Sequence, residues 1–76
     1  TNTGLLITPC KQIHTHFMKF AVDVIFIDSS QQIVHIERSL KPWKFTRYYK
    51  EAKSVIEINQ GEADFLEIGD TLKIVD

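Results

Sequence analysis

Seventy-six residues, 43% of them hydrophobic, exclude a multidomain protein, because a chain this short buries only about 60% of the surface its unfolded form exposes. A single cysteine, Cys10, excludes an internal disulfide, and a net charge of −1 excludes a general attraction to nucleic acid. A core of this size alone gives only about 3–5 kcal/mol, so self-association or a very efficient core is expected. A lone thiol favours a reducing compartment and leaves open a disulfide to a second chain; the cytoplasm is the expected location. No basic head with an apolar stretch opens the chain, and the longest apolar run, Val24 to Ile27, cannot span a bilayer. A soluble protein is expected, with no membrane contact.

Period-two patterning and β-branched residues predict a mainly β fold. Gly4 to Ile7 read as a short strand stopped by Thr8-Pro9, since proline donates no amide to a sheet. Val22 to Ile27 are apolar on both parities except at Asp23, the pattern of a strand covered on both faces, and are assigned to the centre of the sheet. Asp28 to Gln32 are turn chemistry, and Ile33 to Leu40 return as a strand, predicting a hairpin. Strict alternation would put Ile33, His35, Glu37 and Ser39 on one face and Val34, Ile36 and Arg38 on the other. Residues 41–52 show no clean period and read as a long surface connection. Ser54 to Ile58 form the next strand, Gln60-Gly61 break it, and residues 62–68 are expected to form one short helix with acids near its start. Gly69-Asp70 end that helix, and residues 71–76 close the chain as a strand with Leu72 and Ile74 on one side.

Charge is unevenly placed. Residues 41–53 hold five basic side chains against Glu51, a net of +4, and residues 54–76 hold six acids against Lys73, a net of −5. In an oligomer this asymmetry can orient one chain against the next, although an exposed ion pair adds only about 0–1 kcal/mol.

The segments "LLITPCKQIHTHFMKFAVDVIFID", "IVHIERSLKPWKF", "VIEINQG" and "IGDTLKI", in that order, resemble the DUF192 family, also called UPF0127, of uncharacterised bacterial and archaeal proteins. The most specific stretch is Ile13-His14-Thr15, Phe17-Met18, Asp23-Val24 and Phe26-Ile27-Asp28; Glu57, Gly61 and Gly69-Asp70 match a weaker C-terminal signature. The resemblance covers Gly4 to Val75 and implies a small jelly-roll-like sandwich or partly open barrel with one short helix. It also implies a leading strand and helix-like stretch that this sequence lacks, whose loss would uncover sheet edge and favour self-association. Ala21 stands where the family commonly has proline, and His16 where it often has an aromatic residue. The family carries no activity to transfer, and shape does not fix function.

Three groups of residues are site candidates. His14, His16 and Met18 share a parity, about 7 Å between alternate residues if extended, a spacing that suits one metal or ligand. With Cys10 nearby a soft metal site is conceivable, yet neither a CxxC nor an HExxH pattern is present, and no metal or cofactor is expected. His14, Thr15 and Asp23 would meet near the mouth of the sheet, either as a general-base pair or as an ordinary buried hydrogen-bond network, the favoured reading. Lys41, Lys44, Arg47, Lys50 and Lys53 recur every third residue between Trp43, Phe45, Tyr48 and Tyr49. A polyproline-like segment would align them on one side, as stacking on single-stranded nucleic acid requires; a solvated basic loop whose Trp43 and Phe45 cap the core is preferred, and nucleic acid is the less favoured partner.

These residues predict a small ligand-binding or interaction module acting as a homo-oligomer. Its cleft would lie between the His14–Asp23 loop and the Trp43 loop, lined by His14, Thr15, His16, Met18, Asp23, Trp43, Lys44 and Arg47. A small polar or anionic ligand is the expected guest. The alternatives are a hydrolase or isomerase using His14 with Asp23, and single-strand nucleic-acid binding along residues 41–53.

Overall fold

The computed structural model describes residues 4–16 and 18–73. Four strands, β1 (Leu5–Ile7), β2 (Val22–Ile27), β3 (Ile33–Leu40) and β4 (Ser54–Asn59), form one open antiparallel sheet in the order β1-β4-β2-β3. Every residue of β2 is buried, because β4 and β3 pair with its two edges and loops cover both its faces. The expectation of a mainly β chain with Val22 to Ile27 at its centre is met.

Alternation along β2 divides the core in two. Val22, Val24 and Phe26 face one side with Val55, Ile13, Leu40 and Ala52, while Ile25 and Ile27 face the other with Ile33 and Ala63. Residues 10–20 and 41–52 cover the first face, supplying Ile13, Met18, Tyr49 and Ala52. Residues 60–73 cover the second, supplying Ala63, Leu66 and Leu72.

Two irregularities in the β2–β3 pairing overturn the simple alternation expected for Ile33 to Leu40. The register shifts between Phe26 and Ile27, so Ile33 pairs with Ile27 and packs on the second face, whereas His35 lies opposite Phe26 on the first. It shifts again between Val22 and Val24, which pair with Leu40 and Glu37. Three steps of β3 thus oppose two of β2, a bulge that puts Ser39 at a φ of +54°.

The short helix expected over residues 62–68 is replaced by successive turns. Glu62 N donates to Asn59 O, Asp64 N to Gly61 O and Leu66 N to Ala63 O, each spanning three residues. The segment is too short to repay helix nucleation, and Asp23 draws the amides of Gly61, just before it, and Ala63, within it, inward instead. Among the described residues there is no helix, and the sheet is not closed into a barrel. Of the expected closing strand, Thr71 makes a single bridge to Gln32; Ile74 lies outside the described residues, as does Phe17.

Candidate functional site

Asp23 is a clamp within the second face. Its side chain is 1% exposed; Oδ1 accepts the Ser39 amide at 2.9 Å, and Oδ2 accepts those of Gly61 and Ala63 at 2.9 and 3.0 Å. The bulge at Ser39 frees an amide from the strand ladder, and the carboxylate satisfies it while holding the 60–64 turns against the sheet. Gly61, at a φ of +92°, supplies the left-handed backbone that points its amide at Asp23. His14 does not share this face. Val24, next to Asp23 and of opposite parity, pairs with Glu57, and it is Glu57 that feels the charge of His14. Asp23 thus sits in a buried hydrogen-bond network, but one made with the amides of Ser39, Gly61 and Ala63 on the far side of the sheet. Neither the favoured network joining His14, Thr15 and Asp23 nor the alternative His14–Asp23 general-base pair is formed.

Thr15 is likewise structural. Its hydroxyl donates to Lys41 O at 2.6 Å and accepts the Lys44 amide at 2.9 Å, and its carbonyl accepts the Trp43 amide at 3.0 Å. The side chain thus pins the turn at residues 42–43. Trp43 there adopts a φ of +65°, which interrupts a polyproline-like path, so the five cations do not follow one such helix. Lys44 and Arg47 are exposed. Nor do Trp43 and Phe45 cap the core: they are 57% and 66% exposed, and Tyr49 and Ala52 are the loop residues that pack inward.

With Thr15 buried, His14 and His16 turn to the other side of their segment and meet. Their rings lie 5.1 Å apart edge to face, His16 lies 5.2 Å from Trp43 and 4.8 Å from Phe45, and His14 lies 5.9 Å from Phe45. A backbone bridge between His14 and Phe45 brings these two segments side by side. Packed among rings, Nδ1 of His16 is buried with no hydrogen-bond partner. Among the described residues no three of the His, Cys, Asp and Glu side chains are grouped to hold a metal. The Cys10 thiol donates to Gln12 O at 3.1 Å and packs against the first core cluster.

A concave feature among the described residues is a shallow recess of about 310 Å³ at the β1–β4 end of the sheet. Gly4, Leu5, Met18, Phe20 and Val22 give it apolar walls, and Glu57 and Asn59 add polar groups. Burial raises the Glu57 carboxyl above the ordinary carboxylate value, and the charge of His14 opposes that shift. Gly4, at the rim, packs closely over β4, where a Cβ would come within 2.9 Å of Ile58 Cγ2. Met18 thus lines the recess, whereas Trp43 stands beside His16 and is not among its walls.

A second titratable group lies along β3. His35 Nε2 lies 3.2 Å from Glu37 Oε2, and the His35 ring stacks on Tyr49 at 4.3 Å. Burial raises the Tyr49 hydroxyl, Glu37 adds to that shift, and Arg47 opposes it. Sequence reasoning missed both this group and the central position of Glu57. The available signal was a carboxylate set between β-branched neighbours in Ser54 to Ile58, but the pairing of Glu57 with Val24 depends on a strand order no local pattern reveals.

The DUF192 family model, described as "Uncharacterized ACR", matches residues 1–74. The chain belongs to the DUF192 family. It is 44% identical over 62 residues to a UPF0127 protein of Thermococcus sibiricus, covering 79% of this chain and 40% of that protein. It is 40% identical over 63 residues to a UPF0127 protein of Pyrococcus furiosus, covering 80% of this chain and 53% of that one. This DUF192 chain thus spans about half the length of the curated relatives it matches. Among solved structures it is similar to a protein of unknown function from Novosphingobium aromaticivorans, with a TM-score of 0.82, 19% identity, and coverage of 93% of this chain and 56% of that one. At such identity the likeness carries the fold of the DUF192 chain and nothing about its chemistry.

Proposed function

We propose that this DUF192 chain is a small-molecule binding module whose site is the Glu57 recess, and that it works as an assembly of copies. The observation that carries the reading is a partly desolvated carboxylate in a recess lined by both apolar and polar groups, within the field of the His14 imidazole. Small-ligand sites combine apolar contact surface with a few placed polar groups, one of them electrostatically perturbed. Leu5, Met18, Phe20 and Val22 suit an apolar body, and Glu57 suits a hydroxyl or ammonium donor on it. An anion in the recess would face the Glu57 carboxylate, so a neutral or cationic polar ligand is the better match. Self-association is supported by apolar side chains left on the surface outside that recess, the neighbouring Phe65 and Ile68 among them.

Isothermal calorimetry with a fixed panel, ethanolamine, choline, glycerol, glucose, acetate and inorganic phosphate, tests the ligand reading. Binding of an amine or polyol that is lost in Glu57→Gln supports it. Binding confined to the anions, or binding unaffected by that substitution, overturns it.

A further inference from the structure

We infer that copies of this chain associate head to tail, the acidic turn segment around Phe65 of one copy docking on the basic aromatic loop of the next. The inference rests on the self-association in the proposed function and specifies its geometry.

The two surfaces lie on opposite faces of the sheet. Residues 41–52 cover the face of Val24 and Phe26, and residues 60–73 cover the face of Ile25 and Ile27. On the first, Phe45 and Tyr48 stand exposed between the exposed cations Lys44, Arg47 and Lys50. On the second, Phe65 is 94% exposed and Ile68 65%, with Glu62, Asp64, Glu67 and Asp70 around them in sequence. Arg38, which donates to the carbonyls of Ala63 and Leu66, and Lys73 offset part of that acidity. The charge of residues 41–53 is +4, and that of residues 60–73, four acids against Lys73, is −3.

Each surface offers what the other lacks. Beside Phe65 lies a recess of about 400 Å³ lined by Ile58, Gly61, Glu62 and Phe65, an apolar hollow with a carboxylate at its rim. It fits an aromatic or guanidinium side chain, and Phe45 or Arg47 of a second copy supplies one, the guanidinium gaining from the ring face of Phe65 as well. Opposite charges around apolar centres select partner and orientation. Because the complementary surfaces are on opposite faces of one chain, the contact is heterologous and extends to a ring or an open stack; it does not close as a two-fold dimer. A second copy is favoured over nucleic acid because the matching acidic surface is carried by the chain itself.

Sedimentation velocity at tens of micromolar tests this with two variants. Lys44→Glu/Arg47→Glu disables the basic surface, and Phe65→Ser/Asp64→Lys disables the acidic one; all four positions are exposed, so the fold should persist, which circular dichroism checks. Wild type should assemble, and weaken as salt rises from about 0.01 M to about 0.15 M, over which the screening length falls from about 30 Å to about 8 Å. Each variant alone should be monomeric, its association weakened by about tenfold to a hundredfold. An equimolar mixture should form a discrete heterodimer and stop there, since one intact surface of each kind remains. A wild type that stays monomeric, with or without a short oligonucleotide bound at the basic loop, overturns both the geometry and the self-association. Wild type that assembles while either variant assembles equally well, or while the mixture stays monomeric, overturns the geometry alone.

Discussion

Replacing Asp23 tests whether this residue holds the 60–64 turns and the Ser39 bulge against the sheet. Asp23→Ala would leave the amides of Ser39, Gly61 and Ala63, now bound at 2.9 to 3.0 Å, without acceptors in a buried site. Hydrogen bonds to a charged group contribute roughly 1.5–3 kcal/mol each. Part of that is offset because the buried carboxylate no longer has to be desolvated, a cost of several kcal/mol. A net loss of about 3 kcal/mol remains, close to the whole stability of about 3–5 kcal/mol expected of a core this size. Asp23→Asn keeps the volume and one carbonyl acceptor but turns an NH2 toward the remaining amide, for a loss of about 1–3 kcal/mol. Urea unfolding ranks the three proteins, and amide exchange localises the loss, with faster exchange expected at Gly61 and Ala63 before the β2–β4 ladder opens. An Asp23→Ala chain that loses less than about 1 kcal/mol, or keeps its exchange protection at those amides, would refute the clamp.

The other substitutions separate structural from site residues. Burial raises the Glu57 carboxyl above its ordinary value of 4.5, so the folded chain holds that proton more tightly than the unfolded one and stability falls as pH rises from there. Glu57→Gln should therefore be more stable than wild type at neutral pH and equally stable in acid; a difference that does not change with pH contradicts this. His16→Phe removes a buried nitrogen with no hydrogen-bond partner from a cluster of rings, and should raise stability by about 1 kcal/mol in thermal melts; a loss would show that His16 has a partner in solution. Thr15→Val keeps the shape and deletes the hydroxyl that ties Lys41 and Lys44. It should cost about 1–3 kcal/mol and change the Trp43 fluorescence, whereas unaltered emission would mean the turn at residues 42–43 is held by other contacts.

Elements with one-dimensional signals were legible in the sequence. The apolar run of Val22 to Ile27, the turn residues at Asp28 to Gln32, and the strands at Ile33 and Ser54 follow from period and punctuation; the structure has β2 and β3 at the expected bounds and carries β4 one residue further, to Asn59. The site was less legible because it is set by pairing. Asp23 and His14 were grouped through nearness in sequence, but a strand's alternation sends neighbours to opposite faces, and the partners of Asp23 come from 16, 38 and 40 residues away. The two bulges in β3 leave no mark in the alternation of Ile33 to Leu40, yet they decide that His35 meets Tyr49 and that Ser39 meets Asp23. The acids of residues 62–68 suggested a helix start, whereas Asp23 binds the amides of Gly61 and Ala63 at its beginning and the segment forms turns. His14 and His16 meet as rings, whereas the chain turns between Thr15 and Met18 and Met18 packs on the first core cluster instead; the partner that matters electrostatically, Glu57, was visible as a family-signature residue without a place in the site.

Met18 is the only methionine in the sequence and forms part of the wall of the Glu57 recess, so a methyl-labelled methionine gives one NMR signal at the proposed site. Titrating the labelled chain with ethanolamine, choline and glycerol measures occupancy of that recess directly. We predict a saturable shift of the Met18 methyl with at least one of them, abolished by Glu57→Gln. A methyl signal unmoved by all three, while amide shifts gather instead at His35 and Tyr49 or along residues 41–53, would contradict the assignment of the site.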